Sequence, residues 1–299
     1  MLRLSRLLGL VPLLGVAELC LHQYFAHRAP DFEDYARLAP ELLKLKQPGV
    51  PVVVAPSWAE PLVRQVAPVA FPIGELTRPD DSGFAGFLEV SLLGESAAEL
   101  AGFPVTRTRQ VGPFRVSLRQ NPKPEPASFD FVTAVDSGAV EVFIDVDNQL
   151  SPCRRVEHAH TSSGGLHGHV AYPRVRYECG GGRFVGATLS EDQAYRAHRC
   201  ILAQAPDTGS VVLRFTSVPA SPQFVGFAGF SYFLERDVAA DEIELSLDEA
   251  GSELGRYRAS GARGWSRFEL VRGTNGSVDV RVRRLLRTAS DFCFALEAR

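Results

Sequence analysis

"GSVDVRVRRL" at residues 276–285, followed by "DFCFALEAR" at 291–299, decides the fold class of most of this chain. Both are short runs rich in β-branched or aromatic residues and bounded by turn formers, which is the composition of a strand. Runs of the same kind recur upstream about every ten residues: Val140 to Val146, Val156 to His160, His167 to Tyr172, Arg183 to Leu189 and Val211 to Val218. Phe230 to Glu235, Ile243 to Asp248 and Trp265 to Val271 continue the series. Many short strands separated by polar turns predict a β-sandwich over residues 128–299.

Upstream of that region, Gln120-Asn121-Pro122-Lys123-Pro124-Glu125-Pro126 carries prolines at alternate positions. Such a stretch cannot join a central strand and reads as a stiff, extended linker over residues 120–127. Before it the elements alternate. Asp31 to Lys46 has a helical face of Phe32, Tyr35, Leu38, Leu42, Leu43 and Leu45, which Pro40 is expected to break or kink. Gly49 and Pro51 then introduce Val52-Val53-Val54-Ala55, a buried-strand signal closed by Pro56. Ser57 with Glu60 three residues later reads as a capping box, and Phe87 to Leu93 and Phe114 to Leu118 are further strands. Residues 29–119 therefore read as a small α/β domain.

At the N-terminus, Arg3 and Arg6 precede an apolar run from Leu7 to Ala17 that continues to Phe25, the pattern of an export signal. As one helix, Leu4 to Phe25 is roughly 33 Å long at about 1.5 Å per residue, enough to span a bilayer. Residues 1–28 are accordingly expected to be a signal-anchor transmembrane segment, with Glu18 inside the membrane. The protein would then sit in the inner membrane with its bulk extracytoplasmic, in the periplasm. The alternative is cleavage near Ala17, after Gly15 and Val16, and secretion. The expected fold class is α+β overall: a membrane anchor, a small α/β unit, then a disulfide-stapled β-sandwich.

The chain has 299 residues, 45% of them hydrophobic, and a net charge of −3, so nothing favours a nucleic-acid partner. Lysine occurs only at Lys44, Lys46 and Lys123, and alanine, glycine and proline are abundant, an association with high-GC bacterial genomes. No G-x-S-x-G elbow, P-loop or dinucleotide fingerprint is present. No catalytic residue is assigned, and Glu191, Asp192, Asp237, Asp241 and Glu242 read as surface charges.

"GRYRASGARGWSRFEL" at 255–270, with the two runs quoted first, resembles the second half of a galactose-binding-like jelly roll of the carbohydrate-binding-module type, from about Cys200 onward. The first and last strands of such a fold lie together. That implies a Cys200–Cys293 bridge and leaves Cys153 to pair with Cys179, one of the three pairings open to four cysteines. Cys20 falls in the anchor. "PGVPVVVAPSWAEPL" at 48–62, after an apolar segment, resembles the soluble α/β tail of bacterial membrane glycosyltransferases that use lipid-linked sugars. The multi-spanning catalytic core of those enzymes is not in this sequence, so their activity does not carry over.

Three sets of residues are candidates for a site. "EHAHTSSGGLHGH" at 157–169 lies in a hairpin, residues 154–173, turning around Ser163-Gly164. If His160 faces His167 and His158 faces His169, all four rings share one face with Cβ atoms about 5 Å apart, a spacing that can hold Zn²⁺ or Cu²⁺. Asp145, Asp147 and Asn148 at a strand end offer oxygens to a structural Ca²⁺. Stacking on a pyranose, with charged groups for its hydroxyls, draws on Tyr195, Arg196, Tyr232, Arg236, Tyr257, Arg258 and Trp265, while Phe224, Phe227, Phe230 and Phe233 read as core.

The function expected is therefore non-catalytic: a membrane-anchored extracytoplasmic module that binds glycan or a protein partner in the bacterial cell envelope, beside a membrane glycosyltransferase. The alternatives are a zinc- or copper-dependent enzyme or metal-binding protein built on the histidine hairpin, and a structural scaffold.

Overall fold

The Val52–Ala55 run forms β1, buried at all four positions, and it belongs to the smaller of two compact units into which the chain divides. The computed structural model describes residues 10–26, 30–159, 172–192, 196–230, 242–260, 264–271, 276–286 and 292–299. One unit comprises Met1–Leu76 with Phe84–Pro124, and the other Thr77–Gly83 with Glu125–Arg299.

In the first unit β1 pairs in parallel with β2 (Gly86–Leu92), and β3 (Val105–Val111) and β4 (Phe114–Gln120) complete a sheet of order β1-β2-β4-β3. Helix Phe32–Leu45 lays Tyr35, Leu38 and Leu42 on the sheet face formed by Val52, Val54, Leu88, Val90, Phe114 and Val116. Asp31 closes its N-terminus as a capping box with Asp34. Pro40 lies inside this helix without ending it, contrary to expectation. Ser57 provides no side-chain cap either: a 3₁₀ turn Ser57–Ala59 leads directly into helix Glu60–Val66. On the opposite sheet face Glu89 is fully buried and satisfied by Arg119, Ser96 and the Ala97 amide.

The expected α+β class with a membrane anchor is corrected by the structure. Among the described residues strands predominate over helices. The described part of the N-terminal helix is Leu10–Ala26. Glu18, His22 and Gln23 dilute its apolar character. No described helix is long and apolar enough to cross a membrane.

The second unit is a sandwich. Its strands are β5 (Phe129–Asp130), β6 (Glu141–Val146), β7 (Gln149–Pro152), β8 (Arg154–Val156), β9 (Arg176–Glu178), β10 (Phe184–Glu191) and β11 (Ala197–Ala203). Then follow β12 (Ser210–Val218), β13 (Gln223–Phe230), β14 (Glu242–Glu249), β15 (Ser252–Ser260), β16 (Ser266–Val271), β17 (Gly276–Arg284) and β18 (Phe292–Ala298). One sheet runs β16-β13-β18-β11-β10-β9-β8 with β5 beside β18, and the other runs β15-β14-β17-β12-β6-β7. Alternation does the sorting. Val278, Val280 and Val282 enter the core with Val211, Leu213, Phe215, Phe224, Phe292 and Phe294, while Asp279, Arg281 and Arg283 stay on the outer face and bond to Arg214, Asp145 and Glu244.

Two disulfides tie the unit. Cys200 on β11 is bonded to Cys293 on the neighbouring β18, Cα–Cα 5.7 Å, and Cys153 to Cys179 across the mouth of the β8–β9 pair, Cα–Cα 4.4 Å. A polar anchor adds to them. Arg299, almost fully buried, donates to both carboxylate oxygens of Asp80 at 2.8 and 3.1 Å, so the Thr77–Gly83 segment is held to the same unit as β18.

Candidate functional site: the outer face of the larger sheet

Along β11, Ile201 and Ala203 point into the sandwich, so His198, Cys200 and Leu202 point out. The antiparallel register with β10 sets Ser190 opposite His198 and Thr188 opposite Cys200. Cys200, Leu202, Cys293 and Phe184 form a small apolar layer on this outer face, with Tyr172 and Trp265 packed against it. Tyr172 meets Phe184 edge-on at 5.4 Å, and the Arg176 guanidinium lies 4.7 Å from the centre of the same ring.

Trp265 sits at the start of β16, where its neighbour strand carries Gly229. A Cβ at Gly229 would stand 2.8 Å from the indole Cγ, so this glycine leaves the room in which the ring lies. The ring is half-buried and stacks on His198, centroids 4.2 Å apart and planes 11° from parallel. His198 is in turn hydrogen-bonded through Nε2 to Asp192 Oδ2 at 2.8 Å. The other oxygen of Asp192 accepts from the Arg196 amide at 2.9 Å, and the Asp192 amide donates to the Arg196 carbonyl at 3.1 Å. Asp192 therefore closes the turn between β10 and β11 and fixes the imidazole plane against which the indole stacks.

On this face Trp265 Nε1 and Ser190 Oγ are buried and make no hydrogen bond among the described residues. Such a group costs about 1–3 kcal/mol relative to a paired one, so each calls for an explanation. Ser190, His198 and Asp192 make the inventory of an acyl-transfer triad, but the geometry does not. Ser190 Oγ is not hydrogen-bonded to the imidazole, and the nitrogen that would activate it, if Nε2, is engaged by Asp192.

The residues named from sequence are dispersed. Trp265 and Arg196 belong to this face. Tyr257 and Arg258 do not: they lie on β15 of the other sheet, where Tyr257 stacks on Phe268 at 4.3 Å against the core and Arg258 bonds to Glu244 at 3.3 Å. Tyr195, Tyr232 and Arg236 lie outside the described residues. So do His160, His167 and His169; His158 is exposed, beside an amide of Ala159 that donates to the Arg174 carbonyl. Among the described residues no group of three or more His, Cys, Asp or Glu could hold a metal ion. Asp145 accepts from Arg281 at 2.7 Å, and Arg281 also bonds to Asp248 at 2.9 Å. Burial opposes the Arg281 charge, yet the two carboxylates more than offset it and raise its pKa. Asp147 and Asn148 both have positive φ, 52° and 61°, and form the two-residue turn between β6 and β7, the backbone that favours Asn and Asp for steric reasons.

Sequence reading missed His198, Asp192 and Ser190. Nothing local marks them, because only the β10–β11 register sets Ser190 opposite His198.

No protein-family model matches the chain, and no curated protein matches it. Among solved structures, the chain is similar to the tandem CBM51 modules of Sp3GH98, a family 98 glycoside hydrolase from Streptococcus pneumoniae, at 8% identity over 63% of this chain and 56% of that one, TM-score 0.30. These neighbours are carbohydrate-binding modules. A second is CBM51-2 in complex with GlcNAc and INT domains from Clostridium perfringens ZmpB, at 10% identity over 52% of this chain and 36% of that one, TM-score 0.28. A third is TmCBM61 in complex with β-1,4-galactotriose, at 16% identity over 34% and 72%, TM-score 0.24. The match spans less than two thirds of the first two structures' own length, and no residue role is taken from any of them.

Proposed function

We propose that the sandwich unit is a non-catalytic glycan-binding module of an extracytoplasmic or secreted protein, with Trp265 as its stacking platform. The observation that carries this reading is the half-buried indole held flat by His198, itself oriented by Asp192, with an orphan N–H at Nε1. A pyranose offers an apolar C–H face to an aromatic ring and hydroxyls to the polar groups around it, and a site of this kind needs few, well-placed polar atoms. A sugar hydroxyl would satisfy the indole N–H, and the exposed Arg196 lies within the same turn as Asp192. The two disulfides support an oxidising compartment, where structural cystines persist. In its finer form the reading places the glycan in a bacterial cell envelope, beside a membrane glycosyltransferase.

The test is a glycan array probed with the full chain, followed by calorimetric titration of each hit with the native protein and Trp265→Ala. Binding that disappears in the variant, while Tyr257→Ala still binds, supports the platform. Binding that survives Trp265→Ala unchanged sinks it.

A further inference from the structure

The first unit holds a pocket that the glycan reading does not use. It opens where the last turn of helix Phe32–Leu45 stops beside the edge strand β3, an open pocket of about 410 Å³ with its solvent mouth included. Its floor is apolar: Leu88 and Val116 are almost fully buried beneath it, and Leu118 and Leu45 line it above them. Its rim is cationic. Register pairs Arg107 with Leu118 and Arg109 with Val116, so both arginines stand on the helix-side face of β3, two residues apart, beside that apolar floor.

The charges do not cancel. Glu41 takes both Arg109, at 2.7 Å, and Lys44, at 2.8 Å, and these two cations hold its carboxyl below the usual range, with the Lys44 hydrogen bond the largest cause. Arg107 lines the pocket and makes no ion pair or hydrogen bond among the described residues. Three cations face one carboxylate, and the C-terminal end of the helix contributes roughly −0.5 of a charge, which leaves about +1.5 at the pocket rim. Edge strands commonly carry charge simply to discourage pairing with another chain. That role needs no apolar floor beneath the guanidinium groups, and here the floor and the two arginines lie on one face.

We propose that this pocket binds a small amphipathic anion, its phosphate or carboxylate head held by Arg107 and Arg109 and its apolar body laid on Leu88, Val116 and Leu118. A planar, forked guanidinium suits either oxyanion and can bond it through two parallel N–H groups. Arg107 supplies the uncommitted charge, and Arg109 turns part of its fork from Glu41 to the ligand.

The test is titration of the full chain with phenyl phosphate, phenylacetate, inorganic phosphate and phenol, read by calorimetry. Phenyl phosphate or phenylacetate is expected to bind about tenfold or more tighter than either inorganic phosphate or phenol, since only the first pair engages both head and floor. The stronger of the two identifies the head group. Arg107→Gln should weaken that ligand about tenfold, because it removes a charge-assisted, bidentate partner, and Arg115→Gln, a charge removed from the opposite face of the same sheet, should leave it unchanged. Equal affinity for phenyl phosphate and inorganic phosphate, equal loss in the two variants, or no binding at all overturns the proposal. Trp265→Ala should not alter this titration, so failure here and failure of the glycan reading remain separate results.

Discussion

Removing the two disulfides one at a time should cost different amounts, and the difference can be worked out in advance. In the chain-entropy account a cross-link stabilises by restricting the unfolded chain, by an amount that grows with the logarithm of the loop it closes. Cys200 and Cys293 are 93 residues apart in sequence and Cys153 and Cys179 are 26 apart. These loops convert to about 4.7 and about 3.5 kcal/mol at 25 °C. The loops do not overlap, so the losses should add. Cys200→Ala with Cys293→Ala also removes two sulfur atoms from a fully buried layer, whereas Cys153 and Cys179 are only partly buried. Packing therefore widens the gap in the same direction. The assay is urea unfolding of the native protein and the two double variants without reductant, with tyrosine and tryptophan emission as the probe. The 200/293 variant should lose about 1 kcal/mol more than the 153/179 variant, and its m-value should rise more, because its unfolded state gains more freedom to expand. At roughly 2–4 °C per kcal/mol for a unit of this size, its melting temperature should fall by about 9–19 °C. An equal loss, or a larger one for the short loop, would refute the loop-entropy reasoning and point to strain or local packing as the larger effect.

Three further outcomes are expected. Trp265→Ala should weaken any glycan ligand of the larger sheet by about 2 kcal/mol, some thirtyfold, the size of an aromatic hot-spot loss, measurable by titration calorimetry. Gly229→Ala should push a methyl into the indole, whose Cγ lies 2.8 Å from the new atom; a stability loss of about 1–3 kcal/mol and a shift of Trp265 emission in a Trp58→Phe background would check it, and unchanged emission would show the ring is not packed there. Asp80 is the third. Burial works to raise its pKa, but Arg299 foremost, then Ser82 and Arg267, more than reverse this and hold it below the usual 3.8. A carboxylate with a depressed folded-state pKa contributes stability that is present above pH about 4 and lost as pH falls below it. Asp80→Asn should thus cost about 1.5–3 kcal/mol at neutral pH by removing a charge-assisted partner from Arg299, which keeps its bond to Glu297, and its unfolding midpoint should fall less than that of the native protein on acidification. Parallel pH profiles for the two proteins would contradict the assignment. Glu297 works in the opposite sense: burial raises its pKa despite Arg299, so its contribution is present below its ordinary value and fades as pH rises through the folded-state one.

Strand character is legible wherever it is written locally. Val278-Asp279-Val280-Arg281-Val282 alternates with the period of a pleat, and its valines reach the core while its charges meet partners across the outer face. Val52–Ala55, all apolar, is buried on both faces. The Leu7–Phe25 run reads as a spanning anchor from its many apolar residues, whereas no described helix is long and apolar enough to cross a membrane. Pro40 reads as a break, although a single missing backbone donor can be outweighed by Tyr35, Leu38 and Leu42 packing on one sheet.

By itself the sequence determined what short-range patterning can specify: that Val211 to Val218, Ile243 to Asp248 and Val278 to Val282 are strands, and which of their faces is apolar, while the strands Ala197–Ala203, Gln223–Phe230 and Ser252–Ser260 were not marked by it. It could not determine which strands become neighbours. The order β16-β13-β18-β11-β10 is what carries Trp265 to His198 and sets His198 opposite Ser190, and it arises from packing two large sheets against one another, a property of the whole chain. Asp192 looks like one surface carboxylate among several until the turn it closes brings His198 within 2.8 Å. Arg107 likewise reads as an ordinary edge-strand charge until the sheet register sets it beside Leu118. Backbone preference and hydrophobic period act over a few residues, whereas a site is assembled by contacts between residues far apart in sequence, and those exist only once the tertiary fold is made.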